Sequence, residues 1–155
     1  MTRSPARRPP PPAFPEDGAT SRTEHRLPVR VYYEDTDLAG IVYYANYLKF
    51  IERGRSEWVR AMGVDQAALR QAQGLVFAVR RVEADYLRPA RFADDLTVIT
   101  RLQEMGGARI LVEQEVRRGD ERLFVAIVTL VCLTDDGHAA RIPADIRARL
   151  APAVH

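Results

Sequence analysis

The spacing of apolar residues changes character several times along this chain, and each change marks an element. Residues 1–26 hold six of the ten prolines, including the run Pro9 to Pro12. Proline donates no backbone amide and this segment has little to bury, so it predicts a disordered or polyproline-II tail. From Leu27 the pattern tightens. VRVYY (residues 29–33) is rich in β-branched and aromatic residues and predicts a strand. From Tyr44 to Met62 the apolar residues Tyr44, Tyr47, Leu48, Ile51, Trp58 and Met62 recur at helical spacing, which predicts one long helix closed by Gly63. Gly54 falls on the same face. A glycine inside a helix costs about 1 kcal/mol relative to alanine, so a neighbouring element is expected to approach closely there.

After a connecting region (residues 64–73) four strands are expected. They cover residues 75–87, 95–105, 108–118 and 123–133, and are stopped by Arg88-Pro89, Gly106-Gly107 and the turn at Gly119 to Glu121. The last of them, LFVAIVTLVCL, is almost wholly apolar, as befits a central strand covered on both faces. A short helix, ADIRARL, follows. The connections are too short for parallel crossovers, so the class is α+β with an antiparallel sheet of about five strands. One helix cannot cover such a sheet, which therefore curves around it. An edge strand is left over for a second copy, and a homodimer or dimer of dimers is the expectation.

Composition narrows the partners. A chain of 155 residues suits one domain, placed at residues 27–150 with residues 151–155 as a short C-terminal tail. The net charge of +2 is accounted for by five arginines and three acids before Leu27; the remainder is balanced. No one-sided basic surface is implied, so no nucleic-acid partner is expected. The single Cys132 excludes an internal disulfide and reads as a small buried hydrophobe. No apolar run is long enough to cross a bilayer and no secretory signal opens the chain, so the cytoplasm is expected.

Candidate chemistry emerges by elimination. Only three serines and three histidines occur, mostly in the expected tails, and no GxSxG, GxxxxGKS/T or GxGxxG motif is present. Asp94-Asp95 and Asp135-Asp136 read as solvated turn residues. What stands out is VYYEDTDLAGIVYYANY (residues 31–47), in which Glu34, Asp35 and Asp37 precede Gly40 and the helix start. The first turn of a helix offers unpaired N–H groups that can polarise a carbonyl oxygen. Asp37 beside them could attack that carbonyl or activate a water, Gly40 would leave room for a substrate, and Tyr43, Tyr44 and Tyr47 could form a wall. The same residues also fit a capped turn with solvated acids and core tyrosines. Too few oxygen ligands follow for a calcium loop, and no metal is expected.

VYYEDTDLAGIVYYANYLKFIERGRSEW (residues 31–58) resembles the signature of the hotdog-fold acyl-CoA thioesterases of the 4-hydroxybenzoyl-CoA thioesterase family, in particular their Tol-Pal-associated branch. ADYLRPARFADDLTV and RIP extend the likeness over about residues 27–150. The resemblance implies a helix wrapped by an antiparallel sheet and hydrolysis of acyl-CoA thioesters. It implies Asp37 as nucleophile or general base, and an oxyanion-binding amide near Tyr44. Gly40, Ile41, Val42, Tyr43, Tyr47 and Arg109 are implied substrate contacts, Arg109 at the nucleotide phosphates. No cofactor beyond the substrate's own coenzyme A follows. An acyl carrier protein and the inner-membrane surface are further implied associations. Many of the branch carry histidine where Tyr44 stands, so an acid–base role does not carry over to that side chain. A hydratase of the same fold would need a histidine base that this loop lacks. A non-catalytic acyl-CoA or acyl-carrier-protein binding module remains the competing reading.

Overall fold

The computed structural model describes residues 24–151. Most of the proline-rich segment therefore lies outside the described residues, as do residues 152–155. The elements are β1 (His25–Arg30), α1 (Asn46–Ala61), α2 (Gln66–Gln73), β2 (Leu75–Tyr86), β3 (Asp95–Met105), β4 (Arg109–Arg118), β5 (Glu121–Thr134) and α3 (Ala144–Leu150). The strands form one antiparallel sheet in the order β1-β3-β4-β5-β2. This is the hotdog arrangement, with α1 laid along the sheet. No helix among the described residues is long and apolar enough to cross a membrane.

The register decides which side chains meet the helix. Val98 stands opposite both Leu27 and Val116, Val112 opposite Val128, and Phe124 opposite Tyr86. This face of the sheet joins Phe50, Ile51 and Trp58 of α1 in one core. Cys132 lies buried in the same core, and burial pushes its thiol above the ordinary range. Beneath the middle of the helix, Gln114 Nε2 donates to the Ile51 carbonyl (2.8 Å) and to Thr100 Oγ1 (2.9 Å), while Arg55 donates to Gln114 Oε1 (3.0 Å). A buried amide so paired ties α1, β3 and β4 at a single point.

Several boundaries differ from those expected. The first strand is His25–Arg30 rather than residues 29–33, so His25 and Arg26 belong to the sheet and not to a tail. The chain leaves the strand because the Asp35 carboxylate accepts the Tyr32 amide (2.8 Å) and closes a 3₁₀ turn over Tyr33–Asp35. Pro28 is tolerated because β1 is an edge strand. The connecting region contains α2, started by Asp65, whose carboxylate accepts the Ala68 amide. Only Leu69 of that helix is buried, too little to write a periodic signal. The long helix begins at Asn46, and Tyr44 and Leu48 are 62% and 42% exposed, whereas Phe50 and Val59 are buried in the core.

Gly54 is where α1 comes nearest to the sheet. A Cβ there would stand 2.5 Å from Val98 Cγ1 and 3.2 Å from both Gln114 Nε2 and Thr100 Oγ1. Val98 is β-branched and fully buried, so it has little room to yield. Gly54→Ala should therefore lower stability by about 1 kcal/mol or more in urea unfolding, although helix propensity alone would raise it by about 1 kcal/mol.

Candidate active site

The loop between β1 and α1 is held together by its own polar groups. Asp35 is its hub. Besides the bond from Tyr32, its carbonyl accepts the Tyr43 amide (2.9 Å) and Asn46 Nδ2 (2.8 Å). It is thus a buttress of the helix start rather than a solvated strand end; Glu34 is the exposed member of the pair. Two residues on, Asp37 donates its amide to the Ile41 carbonyl (2.9 Å) and accepts the Gly40 amide on its own carbonyl (3.0 Å). Its Oδ1 also accepts the Ala39 amide (2.9 Å), an Asx turn that aims the carboxylate. Gly40 has φ +75° and open space around an added Cβ. That left-handed conformation is one an L side chain rarely adopts, so glycine supplies the turn there.

This loop forms one side of a cleft of about 430 Å³. Asp37, Ile41 and Val42 bound it on that side, and Tyr43, Tyr44 and Tyr47 bound it where the chain turns into α1. The third side is the exit of β2, namely Tyr86, Leu87, Arg88 and Pro89. Six of the expected site residues thus come together in one place. Arg109 does not join them. It begins β4, whereas Arg118 at the other end of that strand lies by the cleft, and nine residues of strand separate the two by about 30 Å. Arg109 is not among the residues that line this cleft.

The rings are locked to one another. Tyr47 stacks on Phe124 (centroids 5.1 Å, 14°), and Tyr86 meets both edge-on at 5.4 and 5.0 Å. The Tyr47 hydroxyl accepts the Ala90 amide (3.0 Å), while burial raises it above the ordinary phenol range. The Tyr86 hydroxyl donates to the Tyr44 carbonyl (2.8 Å). Just ahead of α1, the amides of Tyr44 and Ala45 donate to no acceptor among the described residues, and no side chain caps the helix. Two donors of the kind expected at a helix start are therefore unspent.

The β2 exit was the part that local patterns missed. Its strand stop at Arg88-Pro89 was legible, but no nearby residue links it to Asp37. Only the antiparallel register, which sets Tyr86 opposite Phe124, carries it to the helix start. Its outer lip is braced by ion pairs. Arg118 meets Asp94 (2.7 Å) and Glu121 (3.1 Å), and Arg88 meets Glu121 (3.3 Å). Asp94 is consequently an anchor and not a merely solvated turn residue.

Burial would push the Asp94 carboxyl up, but the Arg91 amide and the Arg118 guanidinium outweigh it and hold the carboxyl below its ordinary value. A depressed carboxyl contributes stability above the unfolded-state range, and that contribution is lost as pH falls through the folded value. Melting temperature should therefore fall on acidification below about pH 4 more steeply in the wild type than in Asp94→Asn, which should be the less stable protein at pH 7. Scans from pH 7 to 3 check both.

The profile of the thioesterase-like superfamily matches residues 31–150. The acyl-CoA thioesterase YbgC of Haemophilus influenzae is 44% identical over 107 residues, which are 69% of this chain and 79% of that protein. The acyl-CoA thioester hydrolase YbgC of Escherichia coli is 40% identical over 112 residues, 72% of this chain and 83% of its own. Among solved structures, a probable thioesterase from Bartonella henselae superposes with a TM-score of 0.73 at 38% identity, covering 77% of this chain and 99% of that one.

Proposed function

The chain belongs to the thioesterase-like superfamily and is an acyl-CoA thioesterase, and from that premise we propose that its hydrolysis depends on Asp37. An acyl-CoA and a water give a free acid and coenzyme A. The single observation that carries the proposal is the meeting, in one cleft, of the aimed Asp37 carboxylate and Tyr44, whose amide, like that of the adjoining Ala45, is unspent.

In this reading the thioester carbonyl oxygen accepts the Tyr44 or Ala45 amide. Such a donor, set in place before the reaction, is typically worth about 10²–10³ in rate. Asp37 Oδ1 accepts the Ala39 amide, and the carboxylate, exposed at the border of the cleft, draws the proton from the attacking water. Collapse of the tetrahedral intermediate expels the coenzyme A thiolate, which takes up a proton. Tyr44 contributes through its main chain, and its ring, with those of Tyr43 and Tyr47, walls the acyl group. The relatives' names favour turnover over the binding-module reading.

Asp37→Asn should lower kcat/KM on a panel of acyl-CoA thioesters by about 100-fold or more, with melting temperature unchanged. Saturable acyl-CoA binding by a wild type that turns over none of the panel would instead establish the binding module. A single turnover in ¹⁸O water should leave the label in the released acid and none in Asp37; label in the aspartate would make it the nucleophile.

We also propose that a second copy pairs along β2. This is an edge strand whose Val79, Val82 and Tyr86 remain exposed, as do Tyr44 just ahead of α1 and Leu48 within it, so that apolar surface is left open. Sedimentation at micromolar concentration should show at least a dimer, and Val82→Arg should shift it toward monomer. A wild-type monomer at that concentration would reject the pairing.

A further inference from the structure

We infer that Tyr86 is a positioning residue for hydrolysis, because its hydroxyl bonds the Tyr44 carbonyl and so holds in place the stretch of main chain that carries the Tyr44 and Ala45 amides. The inference rests on the function proposed above. It starts from an irregularity in α1. The residue before the helix is Ala45, which has no side-chain oxygen, so the usual local fastening of a helix start is missing. Beside the Asp35 buttress and the Leu48 amide on the Ala45 carbonyl (3.2 Å), two further bonds to its carbonyls hold the turn. The Tyr43 carbonyl accepts the Asn46 amide (2.8 Å), a contact within the turn. The Tyr44 carbonyl accepts the Tyr86 hydroxyl (2.8 Å), from the far end of β2 and 42 residues away.

The second bond has two physical effects. It fixes the rotation of a peptide group whose other end is the Ala45 N–H, one of the two unspent amides. It also polarises that group, since a carbonyl that accepts a hydrogen bond makes the N–H of the same peptide a stronger donor. The Tyr86 ring is itself well placed to hold still, because Tyr47 and Phe124 clamp it edge-on from two sides. Burial raises the Tyr86 phenol above its ordinary range, so the hydroxyl keeps its proton through neutral pH. Substrate is not needed to form any of these contacts. They set the donors before the thioester arrives, which is the condition under which such donors accelerate a reaction rather than merely bind.

Tyr86→Phe tests this with the least disturbance, for it keeps the ring contacts and deletes only the hydroxyl. Removing an oxyanion donor outright typically lowers kcat by about 10²–10³, and loosening one should lower it by about tenfold while KM stays within about twofold. Melting temperature and oligomeric state should match the wild type. Tyr86→Leu, which also removes the ring, should lose the same kcat and in addition melt earlier. A Tyr86→Phe enzyme with wild-type kcat overturns the inference. So does one whose kcat, KM and melting temperature all worsen together, since that pattern marks a structural role. The underlying reading is tested apart from this by Asp37→Asn: loss of activity there with no effect in Tyr86→Phe rejects the positioning role and leaves the aspartate mechanism standing.

Discussion

The close approach of α1 to the sheet at Gly54 is the constraint from which the rest of the molecule follows. With no side chain at that position the helix settles against Val98, Thr100 and Gln114, and Gln114 bonds directly to the Ile51 carbonyl. Each additional carbon at such a contact would have to displace a buried, branched neighbour, which typically costs about 1–3 kcal/mol. The depth of the helix in the sheet is therefore narrowly defined. Its first turn is placed with equal definition, and the cleft forms where that turn meets the ends of the strands.

At that end the polar and aromatic contacts do different jobs. Asp35 gathers the Tyr32, Tyr43 and Asn46 donors and so fixes the path of the loop. The Tyr47–Phe124 stack and the edge contacts of Tyr86 fix the floor and one wall. Neither group of contacts uses the Asp37 carboxylate, whose Oδ1 accepts the Ala39 amide, or the Tyr44 and Ala45 amides. A loop and floor tied this way pay their ordering entropy during folding.

Much of this was legible in the order of residues. Period-two and helical spacing mark five strands and one long helix, and the misplaced glycine in the helix points to the close contact at Gly54. Turn chemistry separates Asp37 from Glu34 through the glycine that follows it. Other features left no local trace. α2 buries a single leucine and hides in an alanine-rich stretch. The polar role of Asp35 depends on donors from both sides of the loop. That Arg109 stands at the far end of β4 from Arg118 is likewise a matter of strand length in space, which is not visible along the chain.

Sequence by itself determined the α+β class, the antiparallel order, the family likeness and the carboxylate to watch, because these depend on short-range spacing and backbone preference. Tertiary structure alone decided that Tyr86, Arg88 and Pro89 complete the cleft, that Arg109 does not, and that Asp94 braces the lip. The physical reason is register. Which residue of one strand faces which of another is set by how the whole apolar face fits under α1, and a shift of one residue would turn Tyr86 away from Tyr44.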